Sequence, residues 1–155
     1  MRTPVGFERF ARFDGVLPTA EVTVLTVWLR DACGALFRVL AAVPLDGLDP
    51  YERSWRHVAA GLLRRNSDAV RALVPESVLL EGGRVVALPP ELMSWVAAVG
   101  AAPASDAVVA FGQFSQLIEA ITARLSPVSD RALRRQLRIL QGDLAEVATD
   151  VSPVH

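Results

Sequence analysis

The clearest fold signal lies at residues 105–150, which read SDAVVAFGQFSQLIEAITARLSPVSDRALRRQLRILQGDLAEVATD. Both halves of this stretch repeat apolar residues at spacings of three and four, the period of one face of an α-helix. Ser126-Pro127 lies between the halves, and proline cannot continue a helix interior. Because the connection has only about four residues, the two helices are expected to pack antiparallel. The stretch therefore predicts a C-terminal helical hairpin whose helices begin near Ser105-Asp106 and Ser129.

Further helix starts lie upstream. Thr19 is a suitable N-cap for a helix reaching about Val43, although the Val- and Thr-rich segment 21–29 could instead form a strand. Asp49-Pro50 combines an N-cap carboxylate with a proline in the first turn, which predicts a helix to about residue 65. The polar run 66–68 predicts a break, followed by a short second helix over 67–74.

The one predicted β element spans residues 78–88. Two apolar runs flank Gly82-Gly83, and glycines supply the positive φ that a two-residue hairpin turn requires. Pro89-Pro90 then opens another helix that reaches about Val99. Together these patterns predict a mainly α-helical domain of about five or six helices with one small β-hairpin.

Length and composition predict one domain, because 155 residues of which 52% are hydrophobic can bury a single core. Residues 1–18 are expected to form an N-terminal arm, and residues 19–155 the helical domain. The apolar stretch 20–43 contains four charged residues, so a buried helix of a soluble protein is expected rather than a membrane span. The first residues lack the apolar run of a signal peptide, and a single cysteine allows no internal disulfide. These features predict a cytoplasmic protein.

The chain contains few residues suited to catalysis. It has two histidines, one cysteine and one tyrosine, and it lacks the phosphate-binding glycine motifs. We therefore expect a protein that is not an enzyme, with no cofactor and no metal site. His57 and Cys33 are expected to be structural, and Trp28, Trp55 and Trp95 to pack in the core, with a ligand pocket lined by the tryptophans as the alternative.

The N-terminal arm interleaves aromatic and cationic residues. Phe7, Phe10 and Phe13 alternate with Arg9 and Arg12. Two interpretations stay open: the rings pack on the chain's own helices, or they form a docking surface for a protein partner or a second copy. Stacking on nucleic acid is a third, less favoured possibility.

The last helix carries its charges in an unusual order. Its first half contains four arginines, whereas Asp143, Glu146 and Asp150 lie in its second half. The helix dipole favours the opposite arrangement by about 0.3–1 kcal/mol per charge. An antiparallel copy of the helix would place Arg134 and Arg138 beside Glu146 and Asp150, which predicts a homo-oligomer interface. The alternative is a solvated face whose charge order is accidental.

The sequence thus predicts an interaction or assembly protein, whose partner is another protein or a second copy, acting through helix faces and the aromatic arm. The alternative function is nucleic-acid binding through residues 50–88. The predicted order of elements in this segment, two helices followed by a hairpin, resembles that of a winged-helix module. All 16 basic residues of the chain are arginine, so arginine by itself is weak evidence for phosphate recognition. The candidate nucleic-acid contacts are Arg53, Arg56, Arg64, Arg65, Arg71 and Arg84.

Overall fold

The computed structural model describes residue 4 and residues 6–75 and 87–149, and six helices lie within these ranges. The helices are α1 (Glu8–Ala11), α2 (Thr19–Ala42), α3 (Pro50–Arg71), α4 (Pro90–Ala101), α5 (Ala104–Thr122) and α6 (Arg131–Thr149). The mainly helical architecture is therefore confirmed. The described residues contain no strand. Most of the predicted hairpin, 78–86, lies outside the described residues, and its last two residues, 87–88, are not part of a strand.

The long second helix is helical from its first residue to its last, so the alternative of a strand over 21–29 is wrong. Two of its threonines fit the helix because their hydroxyls bond to carbonyls four residues earlier: Thr23 to Thr19 at 3.1 Å and Thr26 to Val22 at 2.7 Å. Leu25 and Leu29, one turn apart, are both buried. Neither α2 nor any other helix in the described ranges combines the length and apolarity that crossing a membrane requires.

The third helix runs without a break, so the predicted short helix over 67–74 is wrong. It starts as expected, with the Asp49 carboxylate accepting from the Glu52 N–H at 2.7 Å. Polar residues in its last turns do not end the helix, because residues on other helices provide hydrogen-bond partners for their side chains. The Asn66 amide donates to Asp143 on α6, and the Ser67 hydroxyl donates to the carbonyl of Arg30 on α2, both at 2.9 Å.

The C-terminal helices form the antiparallel hairpin that the sequence predicts. Ser115 near the middle of α5 donates to the carbonyl of Gln141 on α6, while Arg134 at the start of α6 donates to the carbonyl of Leu125 just after α5. The boundaries differ slightly. Helix α5 begins at Ala104, before the predicted cap Ser105-Asp106, and α6 begins two residues after Ser129.

The helices pack as two joined pairs. Helix α2 lies along α3, and α5 lies along α6. Helix α3 connects the pairs through contacts with α6, including a bond from the Trp55 indole N–H to the carbonyl of Val147 at 3.2 Å. Helix α4 packs on α2, and the short α1 packs on α5. One continuous apolar core runs through both pairs.

The contact between α2 and α4 depends on Gly100. A Cβ at this position would overlap the Cγ1 of Val39 and lie 2.7 Å from its Cβ. The two helices are therefore closer here than any side chain at position 100 allows. Val39 is stiff at χ1 because it is β-branched, so it cannot easily move aside.

We expect Gly100→Ala to lower the free energy of unfolding by about 1–3 kcal/mol, because overpacking forces α2 and α4 apart. Urea denaturation monitored by circular dichroism measures the change. The matched control is Gly61→Ala inside α3, where a Cβ would meet nothing within 4 Å. This control should gain about 0.5–1 kcal/mol, because alanine favours a helix interior over glycine. A Gly100→Ala protein as stable as the native one would contradict the close contact.

Candidate functional site

The aromatic arm is part of the core. Phe7 and Phe10 are both 0% exposed. The ring of Phe7 lies 5.5 Å from that of Phe114 on α5, and the ring of Phe10 lies 5.5 Å from that of Trp28 on α2, measured between centroids. Phe13 is half-buried and packs against the same core. The hypothesis that these rings form a docking surface is therefore corrected, because Phe7 and Phe10 have no exposed area to offer a partner.

Arginines hold the arm in place. Arg9 forms a forked ion pair with Glu21, with N–O distances of 2.8–3.1 Å, and its guanidinium lies 4.9 Å above the Trp28 ring. At the other end, the Leu17 N–H donates to the carbonyl of Arg124 at 2.8 Å, and Arg124 itself donates to the carbonyl of Ala11. The alternation of aromatic and cationic residues thus reflects intrachain packing.

The other residues singled out for chemistry are also structural. Trp28, Trp55 and Trp95 are all nearly buried, and each packs against a phenylalanine ring, as a core role predicts. Burial raises the pKa of the Cys33 thiol to about 12, so the thiol stays protonated and unreactive near neutral pH. No three His, Cys, Asp or Glu side chains of the described residues are grouped as metal ligands would be.

Arg56, a candidate for nucleic-acid contact, is buried in the fold at 4% exposure. Its guanidinium donates to the carbonyls of Gly100 and Ala102 at 2.9 and 2.7 Å, at the C-terminal end of α4. One turn earlier on α3, the Glu52 carboxylate accepts from the Ala104 N–H at 2.8 Å, at the start of α5. Helix α3 therefore holds the corner between α4 and α5, and the prediction that Arg56 contacts nucleic acid is wrong, because its guanidinium is buried.

The remaining described candidates for nucleic-acid contact all lie on α3. Arg53 and Arg64 line a small cavity of about 280 Å³ beside His57, and Arg64 lies 5.7 Å from the ring of Phe37. Arg71 lines a different, larger cavity, and Arg65 is exposed. Arg84 lies outside the described residues. A winged helix also needs a separate second helix, whereas residues 50–71 form one helix.

Of the four charges predicted to act between copies of α6, one acts within the chain. Arg134 donates to the carbonyl of Leu125 at 3.0 Å, in the connection that follows α5. Asp143 accepts from Asn66, whose oxygen in turn accepts from Gln136 at 3.0 Å. The charge order of α6 is thus partly explained by contacts with α3 and α5. Asp150 lies outside the described residues.

The outward side of α6 carries the rest of the charges. We call the exposed residues Arg135, Arg138, Ile139, Gly142, Ala145 and Glu146 the outer face of α6. Arg138 and Glu146 form no ion pair with any residue of the described ranges. Ile139 is 48% exposed, and a Cβ built at Gly142 would meet nothing within 4 Å. This face is therefore polar at both ends and apolar or small in the middle, and its charges have no ion-pair partner among the described residues.

Comparisons with models of known protein families, with characterised proteins and with solved structures found no match. Function is therefore inferred from the surfaces of the chain itself.

If the arm belongs to the core, Phe10→Ala should cost about 3–5 kcal/mol of unfolding free energy, because the substitution leaves a cavity against Trp28. Thermal and urea denaturation measure the loss. Val16→Ala is the control, since Val16 lies in the same arm and is exposed, and its stability should change by less than about 0.5 kcal/mol. If Phe10→Ala leaves the stability unchanged, Phe10 does not stabilise the core, and the docking hypothesis for the arm is favoured again.

Arg56→Ala should destabilise the protein by about 2–4 kcal/mol, because it leaves the carbonyls of Gly100 and Ala102 without their charged donor. Arg65→Ala on the exposed side of the same helix should change stability by less than about 0.5 kcal/mol. Chemical denaturation of both variants makes the comparison. Equal stabilities would mean that the buried guanidinium does not hold the α4–α5 corner.

Proposed function

We propose that this chain is an assembly protein that self-associates through the outer face of α6. The supporting observation is the position of Gly142 midway between Arg138 and Glu146, each four residues away on the same exposed side. If two copies of α6 meet antiparallel about a two-fold axis at Gly142, Arg138 of each copy faces Glu146 of the other. Two ion pairs then form from one self-complementary surface, as a two-fold interface requires.

The middle of the face suits a close helix contact. Gly142 has no side chain, so two helix backbones can approach there, and Ile139 of each copy faces Ala145 of the other. These residues supply the apolar area that drives association, whereas exposed ion pairs contribute only about 0–1 kcal/mol each and set the orientation. A contact along one 19-residue helix is small, so a weak, concentration-dependent dimer is expected.

Charge also decides the direction of the pair. In a parallel arrangement the exposed Arg131, Arg135 and Arg138 would face their own copies, and like charges repel. In the antiparallel arrangement Arg135 faces Thr149 and Arg138 faces Glu146. Compared with the sequence-based hypothesis, the proposed interface no longer uses Arg134, because that side chain bonds within the chain.

The proposal predicts that Arg138→Glu weakens the dimer, because it places two carboxylates opposite each other at both ends. Adding Glu146→Arg in the same chain should restore association, since the opposite charges meet again. Sedimentation equilibrium from about 5 to 500 μM measures the dissociation constants. The control is Arg65→Glu, which makes the same charge change at an exposed site on α3 and should leave the dimer unaffected.

A second variant tests the close contact independently of charge. Gly142→Gln adds a large side chain that the monomer has room for, and it should abolish the dimer while preserving the helical signal. A native protein that remains monomeric at about 500 μM would overturn the proposal. A dimer indifferent to both Arg138→Glu and Gly142→Gln would also overturn it, because the interface would then lie elsewhere.

A further inference from the structure

A cavity of about 660 Å³ lies where α2, the end of α3 and α4 meet. Its volume falls within the range of small-molecule sites, about 300–1,000 Å³. None of its lining residues belongs to α6, so it is separate from the proposed assembly face. The cavity also has two unlike walls, one charged and one apolar.

The charged wall carries an excess of one positive charge. Arg30 and Arg38 lie two turns apart on α2, and Arg71 faces them from α3. Arg30 is already paired with Asp31 at 2.8 Å, and the second acid of the wall is Asp68. Arg38 and Arg71 are exposed and form no ion pair with any residue that the structure describes. Three guanidinium groups therefore face two carboxylates.

A glycine on α2 shapes this wall. A Cβ at Gly34 would lie 3.2 Å from the Ser67 hydroxyl and 3.5 Å from a terminal guanidinium nitrogen of Arg38. The Arg38 side chain therefore folds back along α2 over Gly34, where it lines the cavity while remaining exposed. The Ser67 hydroxyl reaches over the same glycine to the carbonyl of Arg30, which brings α3 close to α2.

The opposite wall is apolar and comes mainly from α4. Val96 and Ala97 lie beside Met93, which is 59% exposed, and Val39 of α2 continues the surface. Methionine is flexible and adapts to apolar ligands of different shape. Val39 also packs against Gly100, so α2 and α4 lie close together at this wall.

From these two walls we infer that the cavity binds a small amphipathic carboxylate, a molecule with one carboxylate head and an apolar body. The guanidinium groups of Arg38 and Arg71 donate hydrogen bonds to the head, in the planar geometry that arginine and carboxylate share. A single negative charge neutralises the wall, whereas a doubly charged head would leave an excess beside Asp31 and Asp68. The apolar body packs on Met93, Val96 and Ala97.

The test is isothermal titration of the full chain with sodium decanoate at about 50 mM salt. Two further probes separate the contributions of the head and the body. Acetate has the carboxylate head without the apolar body, and decyltrimethylammonium has the same body with a cationic head. We expect saturable one-to-one binding of decanoate and at least about tenfold weaker binding of both other probes. Comparable binding of decyltrimethylammonium would overturn the inference, because it would show that the charged wall makes no selection.

Variants place the binding in the cavity. Arg38→Gln with Arg71→Gln should weaken decanoate binding by about tenfold or more, and so should Ala97→Trp, which fills the cavity from an exposed position. The matched control, Arg65→Gln with Arg131→Gln, removes the same charge from exposed sites elsewhere and should bind within about twofold of the native protein. Circular dichroism checks that each variant is folded. Absence of decanoate binding to the native chain, or binding that all variants retain, would overturn the inference.

Discussion

The buried guanidinium of Arg56 is the contact on which the rest of the arrangement depends. A charge that is only 4% exposed needs strong partners, and here two carbonyls at the C-terminal end of α4 supply them. The end of a helix carries partial negative charge, so the cation also stabilises the helix dipole. Glu52, one turn away, provides the opposite charge to the N-terminal end of α5. One helix therefore fixes where its two neighbours end and begin.

This corner has consequences on both sides of the molecule. With α4 held by Arg56 and pressed against Val39 at Gly100, the apolar wall of the large cavity is fixed relative to α2. Because Glu52 binds the N-terminal end of α5, this helix is positioned so that Phe111 packs against Trp55 and Phe114 against Trp95 in the core. Helix α6 then packs on α5 and α3, leaving its outer face exposed. An α6 dimer as proposed leaves the cavity of each copy open, because no cavity-lining residue lies on α6.

The sixteen arginines of the chain serve different purposes that their identity does not reveal. Arg9 stacks on aromatic rings while pairing with Glu21, Arg134 donates to a carbonyl in the connection that follows α5, and Arg56 is buried. Arg138, by contrast, is exposed and has no ion-pair partner in the described residues. The guanidinium can do all of this because it is always charged and offers five donors on a long apolar stem. Which of these roles an arginine takes depends on what lies opposite it.

The helical class and the C-terminal hairpin could be predicted from the sequence, because a 3.6-residue apolar period and a proline between two helices are local signals. The sequence also placed the starts of α3 and α4 at Asp49-Pro50 and Pro89-Pro90. Two other features depend on tertiary contacts. Helix α3 continues through Asn66, whose partner Asp143 lies 77 positions away, and Arg56 is buried against carbonyls 44 and 46 positions away. The burial of Phe7 and Phe10 and the two walls of the cavity likewise depend on tertiary contacts. The physical reason is that a polar or aromatic side chain is satisfied by whatever the fold brings next to it, and local spacing carries no information about residues so distant along the chain.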